Sequence, residues 1–146
     1  MLTVVEKVIF LQNVDVFSEV PTEQLATMAT IAEEMNVLKG DVIYHENEYS
    51  DALYLVLDGR VRLHQADREI TVAVAREAFG TWALFDEEVR LVTATAEEDS
   101  HLLRLDREEF VDLLADHVQI AQGVLKTVAR RLRIVFDKIS TSENKR

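Results

Sequence analysis

The chain has no cysteine. Disulfides, thiolate metal sites and cysteine nucleophiles are excluded at once. The absence fits a reducing compartment, so a cytoplasmic location is expected. Positive charge is also scarce: 16 Lys and Arg stand against 27 Asp and Glu, a formal net charge of −11. A bulk electrostatic grip on nucleic acid or anionic lipid is not expected from that balance. No apolar run approaches the roughly 18 residues of a membrane span. The stretch Met1–Asn13 carries Glu6 and no cleavage signal, so no signal peptide is read there. No internal repeat or low-complexity linker interrupts the chain.

What is present is the make-up of a globular domain. Of the 146 residues, 48% are apolar and 29% charged, a balance that folds rather than staying disordered. At this length roughly 70% of the unfolded surface is buried on folding, so one domain over 1–146 is expected. Leu2, Val5, Ile9 and Phe10 recur at near-helical spacing in Leu2–Gln12. Pro21-Thr22-Glu23-Gln24 opens a second helix over Thr22–Met35, with Leu25, Met28, Ala29 and Ala32 on one face. Helices therefore occupy 2–35.

From Val37 the period becomes that of strands. Val37–Leu38, Val42–Tyr44, Leu53–Leu57, Val61–His64, Ile70–Val74, Thr93–Ala96 and Leu102–Leu105 read as short strands. Asp58-Gly59 between two of them is a hairpin signal. Seven or eight short strands over 36–105 imply an antiparallel β-barrel or jelly roll, and the fold class is α+β. The helical period returns at Asp106, placed as an N-cap with Glu108 and Glu109 in the first turn. Two C-terminal helices fill 106–140, the longer from about His117 to Ser140, and Thr141–Arg146 is read as a frayed tail.

In the long helix Val118, Ala121, Leu125, Val128, Leu132, Val135 and Ile139 are spaced alternately by three and four, an a/d seam. Two readings stay open. The seam packs on the protein's own barrel, or it is a helix-to-helix dimer contact. The basic residues Lys126, Arg130, Arg131 and Arg133 read as a solvated face that complements the helix dipole.

The stretch with chemical content is Phe79-Gly80-Thr81-Trp82-Ala83-Leu84-Phe85, then Asp86-Glu87-Glu88-Val89-Arg90 and Leu91–Ala96. Gly80 lets a backbone or ligand approach closely. A short helix over 81–85 starts with free amides, which attract an anion. Arg90 is a bidentate phosphate donor by type. Taken locally, an arginine after an acidic turn is more often paired with a neighbour such as Glu87 or Glu88.

The order of elements, with Lys39-Gly40-Asp41-Val42-Ile43, Ala52-Leu53-Tyr54-Leu55-Val56, Asp58-Gly59-Arg60-Val61, Phe79-Gly80, Arg90 and Leu105-Asp106-Arg107-Glu108-Glu109-Phe110, resembles the cyclic nucleotide-binding domain family over about residues 2 to 139. The resemblance implies that the short-helix amides and Arg90 hold the cyclic phosphate of cAMP or cGMP. Phe79, Gly80, Thr81, Trp82, Ala83, Arg90 and Leu91 are then the candidate ligand residues. Several positions depart from the family pattern. Thr81 stands where a glutamate accepts the ribose 2′-hydroxyl, and Leu91 where a small hydroxyl residue assists at the phosphate. Arg76-Glu77-Ala78 lacks the usual turn glycine, and Asn47 replaces another after Glu46. Losing a charged hydrogen bond of about 1.5–3 kcal/mol weakens binding roughly 10- to 150-fold, so weak or altered nucleotide affinity is expected.

Trp82 is read most simply as a core anchor, alternatively as a pocket wall that stacks on a base. His45, His64, His101 and His117 lack metal-ligand spacing, so no metal site or cofactor is expected. No nucleophile motif and no paired catalytic carboxylates are visible, so a non-catalytic regulatory module is expected. The alternative is a degenerate domain that binds no nucleotide and serves interaction or dimerisation. Expected partners are a cyclic nucleotide and a second copy or an intramolecular partner domain. A transcription factor would need a helix-turn-helix after the long helix, and the 146 residues hold none, so that reading requires a longer protein.

Overall fold

The computed structural model describes residues 1–144. Helix α1 (Val4–Leu11), a 3-10 turn (Asp15–Phe17) and α2 (Thr22–Ala29) precede eight strands. These are β1 (Ala32–Val37), β2 (Val42–Tyr44), β3 (Ala52–Asp58), β4 (Arg60–Gln65), β5 (Arg68–Val74), β6 (Ala78–Phe79), β7 (Thr93–Ala96) and β8 (Ser100–Asp106). A second 3-10 turn, Thr81–Leu84, lies between β6 and β7, and α3 (Arg107–Asp116) and α4 (Val118–Asn144) follow.

The strands form two antiparallel four-stranded sheets, ordered β1-β8-β3-β6 and β2-β7-β4-β5. They make a two-layer jelly roll and do not close into a barrel. Strand β3 shows why. Ala52 through Leu57 are all buried, as in a strand covered on both faces. Ala52, Tyr54 and Val56 join the core between the sheets. Leu53, Leu55 and Leu57 join a second core under the helices, with Leu103, Leu105, Phe17, Phe110 and Ile120. The helices therefore cover one sheet, and the other sheet faces outward.

Four expectations are corrected. The second helix stops at Ala29, because Ala32–Val37 pairs residue for residue with Leu105–Ser100. A full ladder outweighs a helical period carried by a few small residues. On α1 the buried residues are Val8 and Leu11, whereas Val5 and Ile9 are exposed. The helix is apolar nearly all round, so spacing alone does not choose its face. Thr3 and Glu6 close a reciprocal cap at its start. Asp58-Gly59 is a corner, not a hairpin: β3 and β4 lie in different sheets. Gly59 has φ +111, and an added Cβ would stand 2.2 Å from Ser100 Oγ, where the β7–β8 connection crosses beside it. Finally, α4 continues to Asn144 with no proline or glycine to stop it, through residues assigned to a frayed tail; Lys145 and Arg146 lie outside the described residues.

Asp106 caps α3 as expected, accepting from Glu109 N. Helix α4 rests on the body through Ile120, Gly123, Val124 and Thr127. The a/d seam is not that face, which corrects the reading that packs it on the protein's own strands. Val118, Leu125, Val128, Leu132, Val135 and Ile139 are exposed, and Ala121 is half-buried. Nor is the basic face simply solvated. Arg131 pairs with Asp15 at 2.9 Å and Arg130 pairs with Glu19. No helix among the described residues is long and apolar enough to cross a membrane.

Candidate functional site

Between the sheets, the end of β2, the start of β3 and the end of β6 bring three aromatic rings together. Tyr54 stacks on Phe79 with centroids 5.3 Å apart, and Tyr44 sits 5.9 Å from Tyr54 and 6.1 Å from Phe79. Arg90 lies on this floor, its Cζ 3.9 Å from the Tyr44 ring centroid. A desolvated cation over an aromatic face is stabilised by about 2 kcal/mol. Burial pushes the Tyr44 hydroxyl up to about 12, with Arg90 pulling the other way, so Tyr44 stays neutral near pH 7.

The backbone of Arg90 is held on both sides. Arg90 N donates to Glu48 O at 2.7 Å, and Asn47 N donates to Arg90 O at 2.8 Å. Asn47 takes φ +71, so it keeps the left-handed geometry of the glycine it replaces, which asparagine tolerates better than most residues. Arg76 likewise takes φ +76 in the turn that lacks its glycine. Both departures change the residue and keep the path of the chain.

The guanidinium is only 6% exposed. Its Nη2 donates to Ala52 O at 2.7 Å and its Nη1 to Gly80 O at 3.4 Å, while Nε has no hydrogen-bond partner. The nearest carboxylate is Asp51, 3.8 Å from Nη2. Asp51 is mostly exposed and is shared with Arg104 at 3.3 Å. A buried cation answered by two neutral carbonyls and by one long ion pair to an exposed, shared carboxylate is only partly compensated and can accept an incoming anion. Glu87 and Glu88 do not pair with it, which corrects the local expectation. Gly80 makes the arrangement possible: its φ is +71, and an added Cβ would lie 2.5 Å from Arg90 Nη1.

A cavity of about 520 Å³ opens over Arg90. Tyr44, Ser50, Gly80 and Ala83 line it with Arg90; Leu63, Val89, Leu91, Val92 and Trp82 make an apolar wall; the acidic residues Asp86 and Glu88 complete the lining. The 3-10 turn that starts at Thr81 has no side-chain cap. Its Ala83 N is already committed to Gly80 O at 3.2 Å.

Of the seven residues singled out by sequence, Gly80, Trp82, Ala83, Arg90 and Leu91 therefore meet in one cavity. Phe79 is buried in the floor beneath it. Thr81 is elsewhere: it lines a separate cleft of about 470 Å³, with Asn13, Asp15, Arg76, Glu77 and Arg131. Trp82 is 76% exposed and borders both spaces. It is no core anchor: the turn that carries it buries Ala83 and Leu84, Leu84 in the core under the helices, and leaves Trp82 exposed. Sequence reading did not single out Tyr44, Ser50 and Asp51, and it took Glu88 only as a partner for Arg90. Their one shared signal is position beside recognisable strands, since nothing in their types marks them out. Among the described residues no group of three or more His, Asp and Glu converges to hold a metal.

Fold and site together define a class: a two-sheet sensor domain with a buried arginine in a cavity beside a glycine turn. The chain belongs to the cyclic nucleotide-binding domain family, whose model matches residues 34–117. It is 38% identical over 100 residues to the cyclic AMP receptor protein of Thermus thermophilus, covering 65% of this chain and 46% of that protein. It is also 38% identical over 106 residues to a lysophospholipase of Aspergillus oryzae, covering 69% of this chain and 7% of that protein. The chain thus spans about half the length of the first relative and under a tenth of the second. Among solved structures, the N-terminal domain of a transcriptional regulator from Streptomyces coelicolor A3(2) matches with a TM-score of 0.80 and 31% identity, over 89% of this chain and 94% of that one. The domain is of the regulatory cyclic nucleotide-binding type.

Proposed function

We propose that this chain is a non-catalytic sensor module in which Arg90 receives the phosphate of a cyclic nucleotide, cAMP or cGMP, with altered contacts to the ribose. The observation that carries the reading is the buried Arg90 guanidinium, whose Nε lacks a partner and whose one carboxylate neighbour, the mostly exposed Asp51, makes only a long ion pair at 3.8 Å. A phosphate supplies the missing counter-charge and accepts several N–H donors at once. The free amides that begin the Thr81–Leu84 turn are the second phosphate contact. The apolar wall suits a base, and Trp82 is its aromatic member.

Isothermal titration with cAMP and cGMP tests this. Wild type is expected to bind, and Arg90→Ala to weaken binding by roughly 10- to 150-fold, the worth of a charged hydrogen bond. Circular dichroism checks that the variant still folds; Asp51→Ala, which leaves the arginine in place, is expected to bind at least as tightly as wild type. No heat from wild type at millimolar nucleotide overturns the reading. The exposed seam of α4 supports a second copy as partner, and it serves a degenerate interaction domain equally well.

A further inference from the structure

In the residue pattern that aligns this chain with its family, the ribose acceptor belongs directly after Gly80. Here that position is Thr81, which lines the cleft beside Asp15 and Arg131 and does not line the cavity of Arg90. A residue that lines a different cleft is badly placed to read a ligand seated on Arg90. Two acidic residues, Asp86 and Glu88, nevertheless line the cavity. They differ in how committed they are. Asp86 Oδ1 accepts from Glu88 N at 3.2 Å. The main chain of Glu88 is fixed at both ends, since its carbonyl also accepts from Ser50 N at 3.2 Å and from Ser50 Oγ at 2.6 Å. Ser50 is itself buried. The carboxylate of Glu88, a residue that lines this cavity two positions before Arg90, is left with no hydrogen-bond or ion-pair partner among the described residues.

We infer that Glu88, and not the residue after Gly80, accepts the ribose 2′-hydroxyl of the bound nucleotide. The inference rests on the proposed reading of the cavity as a cyclic-nucleotide site. An ionised carboxylate is a pure acceptor and the strongest one available to a hydroxyl. A fixed backbone with a free side chain is what a specificity contact needs, because little ordering is lost on binding. The acceptor has moved from the glycine turn to the loop that carries the arginine, so one segment, Asp86–Arg90, presents both the phosphate donor and the ribose acceptor.

The test compares titrations of cAMP and 2′-deoxy-cAMP into wild type, Glu88→Ala and Thr81→Ala. The quantity read is the ratio of the two dissociation constants. Removing a negative charge near the phosphate changes both affinities together, and the ratio cancels that change. Wild type is expected to prefer cAMP by about tenfold or more, the worth of one charged hydrogen bond. Glu88→Ala is expected to bring the ratio to within about twofold of one, and Thr81→Ala to leave it at the wild-type value. A wild-type ratio of one, a ratio that survives Glu88→Ala, or one that collapses with Thr81→Ala overturns the inference while the cyclic-nucleotide reading stands. Binding of neither nucleotide to wild type overturns both.

Discussion

At the scale of the residue, position matters more than type. Thr81 was the most visible departure from the expected motif, and it lines a different cleft from the one where its loss would be felt. Restoring a glutamate there should therefore do little. Thr81→Glu is expected to change cAMP affinity by less than about threefold, against the roughly 10- to 150-fold that a direct charged hydrogen bond would add. Titration of the single variant checks this, and a gain of tenfold or more would show that the side chain reaches the ligand. Asn47 and Arg76 make the same point from the opposite side. Each replaces a glycine by type and keeps its left-handed backbone, at a cost of about 1–2 kcal/mol for an ordinary side chain such as that of Arg76 and less for asparagine. The motif had changed on paper more than it had in space.

At the scale of the element, α4 is held along one short face. Gly123 lies against the chain at Glu19 and Val20: an added Cβ would meet Val20 Cα at 2.8 Å and Glu19 O at 2.9 Å. Both are backbone, so neither can swing aside. Thr127 adds a hydroxyl contact to Ser18 at 3.4 Å, and Arg131 the ion pair to Asp15. Gly123→Ala should gain about 1 kcal/mol of helix propensity and lose about 1–3 kcal/mol to overpacking. The second effect wins, and the midpoint of thermal unfolding should fall by about 2–4 °C. An increase would mean that α4 moves off the Glu19–Val20 segment without penalty. The sequence carried no warning of this contact. A glycine inside a helix reads as a weak point, and only the packing shows that it is a point of closest approach.

At the scale of the whole molecule, the exposed stripe on α4 stands out. Leu125, Leu132, Val135 and Ile139 are each more than half exposed, at the spacing of a coiled-coil seam. An apolar stripe this long in water calls for a partner. If it is a second copy, Leu132→Asp places a charge in the seam and should convert a dimer to a monomer in sedimentation, with the fold unchanged. A wild type that sediments as a monomer would remove the second copy from the account.

Much of the architecture was legible in the chain. The change of period at Val37 and at Asp106 marked the two-helix entry, the strand core and the helical exit, because local hydrophobic spacing records which side of each element is buried. The Asp106 cap and the Gly80 turn were readable for the same reason: each depends on neighbours within a few residues. Arg90 was readable as a donor by type and spacing. What the chain alone left open depends on residues far apart in sequence. Ala32–Val37 became a strand because β8, about 70 residues on, completes its ladder. The seam of α4 faces out because Ile120, Gly123 and Val124 reach the helical core first. Which carboxylate shares the cavity with Arg90 was decided by how the loop after the 3-10 turn folds back onto Glu48 and Ser50. Local chemistry named the elements and the arginine, and the non-local packing of sheets, loop and helix decided what that arginine faces.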